Sequence, residues 1–227
     1  MAAGRVKCPC PFTESGSETG GLNREVRMLP IILGSSSSGR QRILREAGFL
    51  FECRTPQIDE KAIRDPDPSR LVLRLSHAKA DALLPGIHQP ALLITADQVV
   101  LCDGELREKP ANADECRRFL ASYSAGIPAE TVTAVVVTAT ASNRRFEGVD
   151  IARQYFRQIS GAVVEKAIQA GRILSCAGGF QIDDPLFQPY LLRREGDEDS
   201  IIGLPMNLVR RLLSEAEWGN GSAYMPS

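Results

Sequence analysis

Apolar residues along the chain fall into short runs and spaced stripes that predict alternating strands and helices. Met28 to Leu33 reads as a buried strand, and after a serine-rich loop Gln41 to Ala47 takes up helical spacing until Gly48. Leu50 to Arg54 can form a second strand, followed by the acidic loop Ile58-Asp59-Glu60. Ser69 is the expected N-cap of a helix over Arg70 to Leu84, with Leu71, Leu75, Ala78 and Ala82 as its apolar stripe and Lys79 beside it. Ala91 to Thr95 reads as a strand that delivers Asp97 where strand gives way to loop, and Val99 to Leu101 continue to the turn at Asp103-Gly104.

Beyond that turn, Asn112 with Glu115 three residues later marks a helix start, and the helix runs to about Tyr123. Thr131 to Thr140, rich in Val and Thr, is a long strand, with Asp150 to Phe156 as its partner across a turn near Asn143. Ala162 to Ala170 is helical and stops at Gly171. Cys176 to Phe180 is hinged on two glycines, Ile201 to Leu204 is a short apolar run, and Met206 to Leu213 is a last amphipathic helix. No repeat or linker interrupts residues 28–215, so one α/β domain with a mixed sheet is expected between tails at 1–27 and 216–227.

Composition narrows the function. The chain has 227 residues, 43% hydrophobic and 24% charged, enough for a real core. Its 27 Lys and Arg against 28 Asp and Glu leave a net charge of -1, with no basic surplus for a nucleic acid. No apolar run approaches a membrane span. The six cysteines are scattered, Cys8 and Cys10 lack a zinc-knuckle spacing, and the N-terminal tail lacks the apolar core of a signal peptide, so a cytoplasmic protein with reduced thiols is expected. The sequon at Asn220 carries no weight without a secretory signal.

The candidate chemistry gathers at a few positions. Gly34-Ser35-Ser36-Ser37-Ser38-Gly39-Arg40 lies between a strand and a helix, where free backbone N–H groups, hydroxyls and a guanidinium suit an anion. Its glycine spacing is that of a Walker A loop, but Arg40 and Gln41 stand in place of the lysine and the magnesium-binding hydroxyl, which disfavours a P-loop. Asp97 and Glu60 could supply hard oxygen ligands to a divalent cation. Lys79 and Lys109 could neutralise phosphate. Each alone is more often a turn cap or a surface charge. His77 and His88 have no metal-ligand spacing, and no G-x-S-x-G motif is present.

Together these segments resemble the Maf nucleotide pyrophosphatases, also called septum-formation proteins. The resemblance is carried by Ile32 to Arg40, Ile58 to Glu60, Arg74 to Ala80 (R-L-S-H-A-K-A) and Thr95 to Val100 (T-A-D-Q-V-V). It continues through Arg107 to Pro110 (R-E-K-P), Tyr123 to Gly126, Ala177 to Phe180 and Ser200 to Pro205, in order, from Met28 to Leu213. It implies an elongated mixed sheet flanked by helices around a deep cleft, like the inosine triphosphate pyrophosphatases, and often a homodimer. It implies hydrolysis of nucleoside triphosphates, modified or non-canonical ones included, to a monophosphate and pyrophosphate, with Mg²⁺ or Mn²⁺ held at Glu60 and Asp97. In that scheme Asp97 accepts the proton of the attacking water, while Ser35, Ser36 and Arg40 bind phosphate. Lys79 and Lys109 neutralise the triphosphate, and Gln98 and Asp183 lie toward the base.

This chain departs from many bacterial members. Gly39 stands where they have an arginine linked to base choice, Gln98 where the pyrimidine group has threonine, Asp183 where it has glutamine, and Cys176 where a lysine is usual. The plant and protist branch is the closer match. Two rivals stay open at this point: a P-loop NTPase or kinase, and a nucleotide-binding, division-linked protein that has lost turnover.

Overall fold

The computed structural model describes residues 29–123 and 126–219. The expected tail at 1–27, Cys8 and Cys10, part of the Tyr123 to Gly126 motif and Asn220 lie wholly or partly outside them. Seven strands among the described residues form one mixed sheet: β1 (Ile31–Gly34), β2 (Phe51–Cys53), β3 (Leu92–Cys102), β4 (Glu105–Arg107), β5 (Ala129–Ala139), β6 (Arg144–Phe156) and β7 (Leu191–Glu195). The order is β2-β1-β3-β5-β6-β7, with β4 paired to β3 off this path. β1 runs parallel to β2 and β3, and the remaining pairings are antiparallel.

Among the described residues six helices cover the sheet: α1 (Ser38–Glu46), α2 (Pro68–Leu83), α3 (Ala113–Tyr123), α4 (Gly161–Gln169), α5 (Glu198–Ile202) and α6 (Met206–Gly219). Side chains along β3 alternate between the two faces. Leu92, Ile94 and Ala96 pack with α1 and α6, and Val100 and Cys102 pack with α3 and α4. Leu93 and Val99 meet α2 on the opposite face. The mixed α/β architecture is therefore the one expected.

Four local expectations are corrected. The cap of α2 is Asp67, whose carboxylate accepts from Arg70 N at 3.0 Å, with Pro68 rather than Ser69 opening the helix. Its buried stripe is Leu71, Leu75 and Lys79 with Val72, Ser76 and Ala80, while Ala82 is exposed; the helix is turned because Lys79 finds acidic partners inside. β3 is uninterrupted through Asp97, and α6 continues to Gly219 with Ala216 fully buried, past the expected boundary at 215. β7 was not anticipated. It is an edge strand with exposed Arg193 and Arg194, whose charges pair with Glu195 and Glu198 and hide the period-two signal.

Candidate active site

A gap in the sheet makes the site. β1 pairs with β3 only as far as Gly34 opposite Thr95, and β4 pairs from Arg107 opposite Val100, while β5 follows β3 along its whole other edge. Ala96 to Val99 thus have one edge free, at the carboxyl end of β1, where open α/β sheets bind ligands. A cleft of about 580 Å³ opens there, lined by Ser35 to Arg40, Glu60, Lys79, Asp97, Lys109 and Asp183 among others.

Asp97 sits mid-strand rather than at a strand end, and it can do so because α2 supplies a cation. Lys79, 6% exposed, donates to Asp97 Oδ1, and its Nζ also lies 2.8 Å from Glu60 Oε1. Glu60 comes from the loop after β2 and meets Lys109, an exposed cation, at 3.8 Å. Partial burial pushes the Glu60 carboxyl up, but the hydrogen bond and charge of Lys79, with Lys109 and Arg40 behind, hold it below the ordinary value.

Arg40 lies in the first turn of α1. Its Nη1 donates to Ala96 O, the carbonyl exposed by the gap, and its Nε to Gly203 O, both at 2.8 Å. Burial lowers its pKa while Asp97 and Glu60 oppose the shift. The expected loop is shorter than the sequence suggests, because Ser37 caps α1 through Arg40 N and the helix begins at Ser38. That leaves buried Ser35, whose hydroxyl accepts from Ser37 N at 3.2 Å, and exposed Ser36 just ahead of the helix start. At Gly39 a Cβ would stand 2.9 Å from Ile202 Cγ2, so α5 leaves no room there for the arginine of other members.

Gln98 points to the opposite face from Asp97. Its Nε2 donates to Thr133 Oγ1 at 2.8 Å and to Ser200 O at 2.9 Å, tying the strand to α5. Asp183 lines the cleft with Oδ2 held by Arg42 at 2.6 Å, while Oδ1 is buried without a hydrogen-bond partner among the described residues. Two basic residues went unnoticed in the sequence. Arg42 lies on α1, and Arg172 lines the cleft with its guanidinium held at 2.8 Å by buried Asp184. Neither stands in a motif, so only the fold could reveal them.

Among the described residues, no three of His, Cys, Asp and Glu gather into a ready metal cage. Glu60 and Asp97 nevertheless offer two carboxylates on one ammonium, which is what Mg²⁺ takes from a protein when substrate phosphates supply its other ligands. The residues fit such an ion. No helix among the described residues is long and apolar enough to cross a membrane.

A serine loop at a helix start, opposite a carboxylate–lysine–carboxylate cluster in an α/β cleft, suits the hydrolysis of phosphate esters or anhydrides. The chain belongs to the Maf-like protein family, whose sequence profile matches residues 30–216. It is similar to the 7-methyl-GTP pyrophosphatase of Dictyostelium discoideum, 41% identical over 82% of this chain and 96% of the relative. A nucleoside triphosphate pyrophosphatase of Synechococcus sp. (strain JA-2-3B'a(2-13)) is 34% identical, covering 86% of this chain and 98% of its own length. The dTTP/UTP pyrophosphatase of Vibrio vulnificus (strain YJ016) is 29% identical over 83% of this chain and 99% of that protein. The chain is thus an enzyme of the nucleoside triphosphate pyrophosphatase class.

Proposed function

We propose that the cleft splits a guanine nucleoside triphosphate, 7-methyl-GTP included, into the monophosphate and pyrophosphate, with Asp97 as the base that takes the proton of the attacking water. The observation that carries the chemistry is the convergence of Asp97, Glu60 and Lys79 beneath the start of α1. Lys79 donates to Asp97 Oδ1 and so orients the carboxylate, as a general base requires. Arg40, the Ser35–Ser36 backbone, Lys79 and Lys109 offset the charge of the triphosphate, and pyrophosphate is the leaving group that this much fixed positive charge suits. A divalent cation at Glu60 and Asp97 would neutralise phosphate charge further.

Asp183 supports the choice of base. Asp183 lines the cleft, where a carboxylate can accept from the N1–H and N2–H₂ edge of guanine, and a negative charge favours a cationic 7-methylated ring. The Dictyostelium relative's name agrees with this reading. Gln98, with its amide nitrogen committed to α5, would act on the base through the position of Gly203 rather than by contact. The same reading has the enzyme working in the cytosol as a homodimer. The free thiols of Cys53, Cys102, Cys116 and Cys176 support the first, and the family resemblance the second.

A panel of 7-methyl-GTP, GTP, ATP, dTTP and UTP, scored for pyrophosphate and for orthophosphate, tests the proposal. Guanine nucleotides should lead with pyrophosphate as product. Orthophosphate and a diphosphate would instead favour a P-loop-type reaction, and no turnover at all a binding protein.

A further inference from the structure

Arg107 is a buried cation that the chemistry above does not use. Its side chain is 4% exposed, and its guanidinium carbon lies 4.9 Å from the ring centres of both Phe119 and Tyr123. Nη1 donates to Phe119 O at 3.2 Å, which clamps the end of β4 onto α3. Tyr123 is fully buried, and burial pushes its phenol far up, so the hydroxyl stays protonated and donates to Gly178 O at 3.1 Å. Gly178 has φ 71°, and a Cβ there would stand 2.7 Å from that hydroxyl. Gly178 N in turn donates to Glu108 O at 3.0 Å.

These contacts close a circuit from Arg107 through Tyr123 and Gly178 to Glu108, the residue that follows Arg107 in the chain. Two parts of the cleft hang on it. Lys109 comes next after Glu108, and Cys176, Ala177 and Phe180 form the wall around Gly178. We infer that Arg107 and Tyr123 are positioning residues: they fix Glu108 against Gly178 and thereby set where Lys109 meets the triphosphate. The inference rests on the reading of Lys109 as a substrate-facing cation.

A double-mutant cycle with Tyr123→Phe and Lys109→Ala separates the two readings. Phe at position 123 keeps the ring that packs on Phe156 and Phe180 and removes only the hydroxyl. The expected result is a fall in kcat/KM of about tenfold or more in Tyr123→Phe, the scale of a misplaced binding group, with a circular dichroism spectrum like that of the wild type. The same substitution should add nothing once Lys109 is already Ala. Wild-type turnover by Tyr123→Phe, or losses that multiply in the double variant, would overturn the positioning role and leave the site intact. Wild-type turnover by Lys109→Ala would remove the site reading, and this inference with it. Arg107→Lys, the harsher change, should follow the same pattern if it folds, and Tyr123→Phe decides the matter if it does not.

Discussion

Lys79 on α2 donates a hydrogen bond to Asp97 on β3, so an ammonium and a carboxylate face each other at the cleft floor with almost no exposure to solvent. Neither would be tolerated there alone, since an unpaired buried charge is among the most destabilising features a core can contain. The pair therefore fixes the proposed proton acceptor within the interior of the sheet.

Replacing that acceptor should remove turnover before it removes the fold. Asp97→Asn keeps the shape but cannot accept a proton, and kcat should fall ~10²–10⁴-fold. Glu60 remains 2.8 Å from Lys79, so the ammonium keeps a partner and the melting temperature should drop by only a few degrees. Pyrophosphate release and calorimetry on one preparation check both halves; undiminished release would remove Asp97 from the mechanism.

On the proposed reading Arg40 both ties two backbone carbonyls and binds phosphate, and its substitutions should show both. Arg40→Ala leaves Ala96 O and Gly203 O without their donors, at ~1–3 kcal/mol for a buried acceptor left unsatisfied, and raises KM through the lost phosphate contact. Arg40→Lys restores charge but not the two-pronged bond, so KM should recover more than stability. Equal recovery of both in steady-state kinetics and urea titration would contradict this division.

At Asp183 the expectation concerns choice rather than rate. Asp183→Asn retains an acceptor oxygen but loses charge, so the ratio of kcat/KM for 7-methyl-GTP over GTP should shrink. An unchanged ratio would mean that the base is read elsewhere.

Acid should loosen the site through Glu60, whose folded pKa lies below its ordinary 4.5. A depressed carboxyl contributes stability that is present above the unfolded value and is lost as pH falls through the folded one. Melting temperature should thus decline below about pH 4.5, and Glu60→Gln should flatten that limb. A parallel decline in both proteins would assign the acid limb to other carboxylates.

Metal dependence should appear in turnover but not in the free protein. Excess chelator should abolish pyrophosphate release, with Mg²⁺ or Mn²⁺ restoring it. The ion alone should barely shift the melting temperature, because two carboxylates shared with Lys79 need substrate phosphates to complete a coordination shell. Full activity in chelator would refute the metal requirement.

Much of this was legible in the chain. Local periodicity sufficed for most helices and strands, and the motif spacing singled out Glu60, Lys79, Asp97 and Lys109, which the fold gathers in one cleft. What could not be read was long-range. Asp97 looks like the end of a strand because a charge interrupts apolar residues, and only Lys79, on a separate helix, makes a mid-strand carboxylate tolerable. The rotation of α2 that buries Lys79 has the same origin. Arg107 resembles any surface arginine until Phe119 and Tyr123 close over it, and the free oxygen of Asp183 depends on which of its two atoms Arg42 takes.

The gap between β1 and β4 also bears on how the rims of the cleft are set. The floor of the cleft belongs to the β3–β5 ladder, which is paired without a break from Leu92 to Leu101. The serine loop hangs from β1 and the Lys109 segment from β4, and these two strands do not pair with each other. Either rim can thus shift against the other while the strand that carries Asp97 stays in register, so the span between the serine loop and Lys109 is set independently of the position of Asp97.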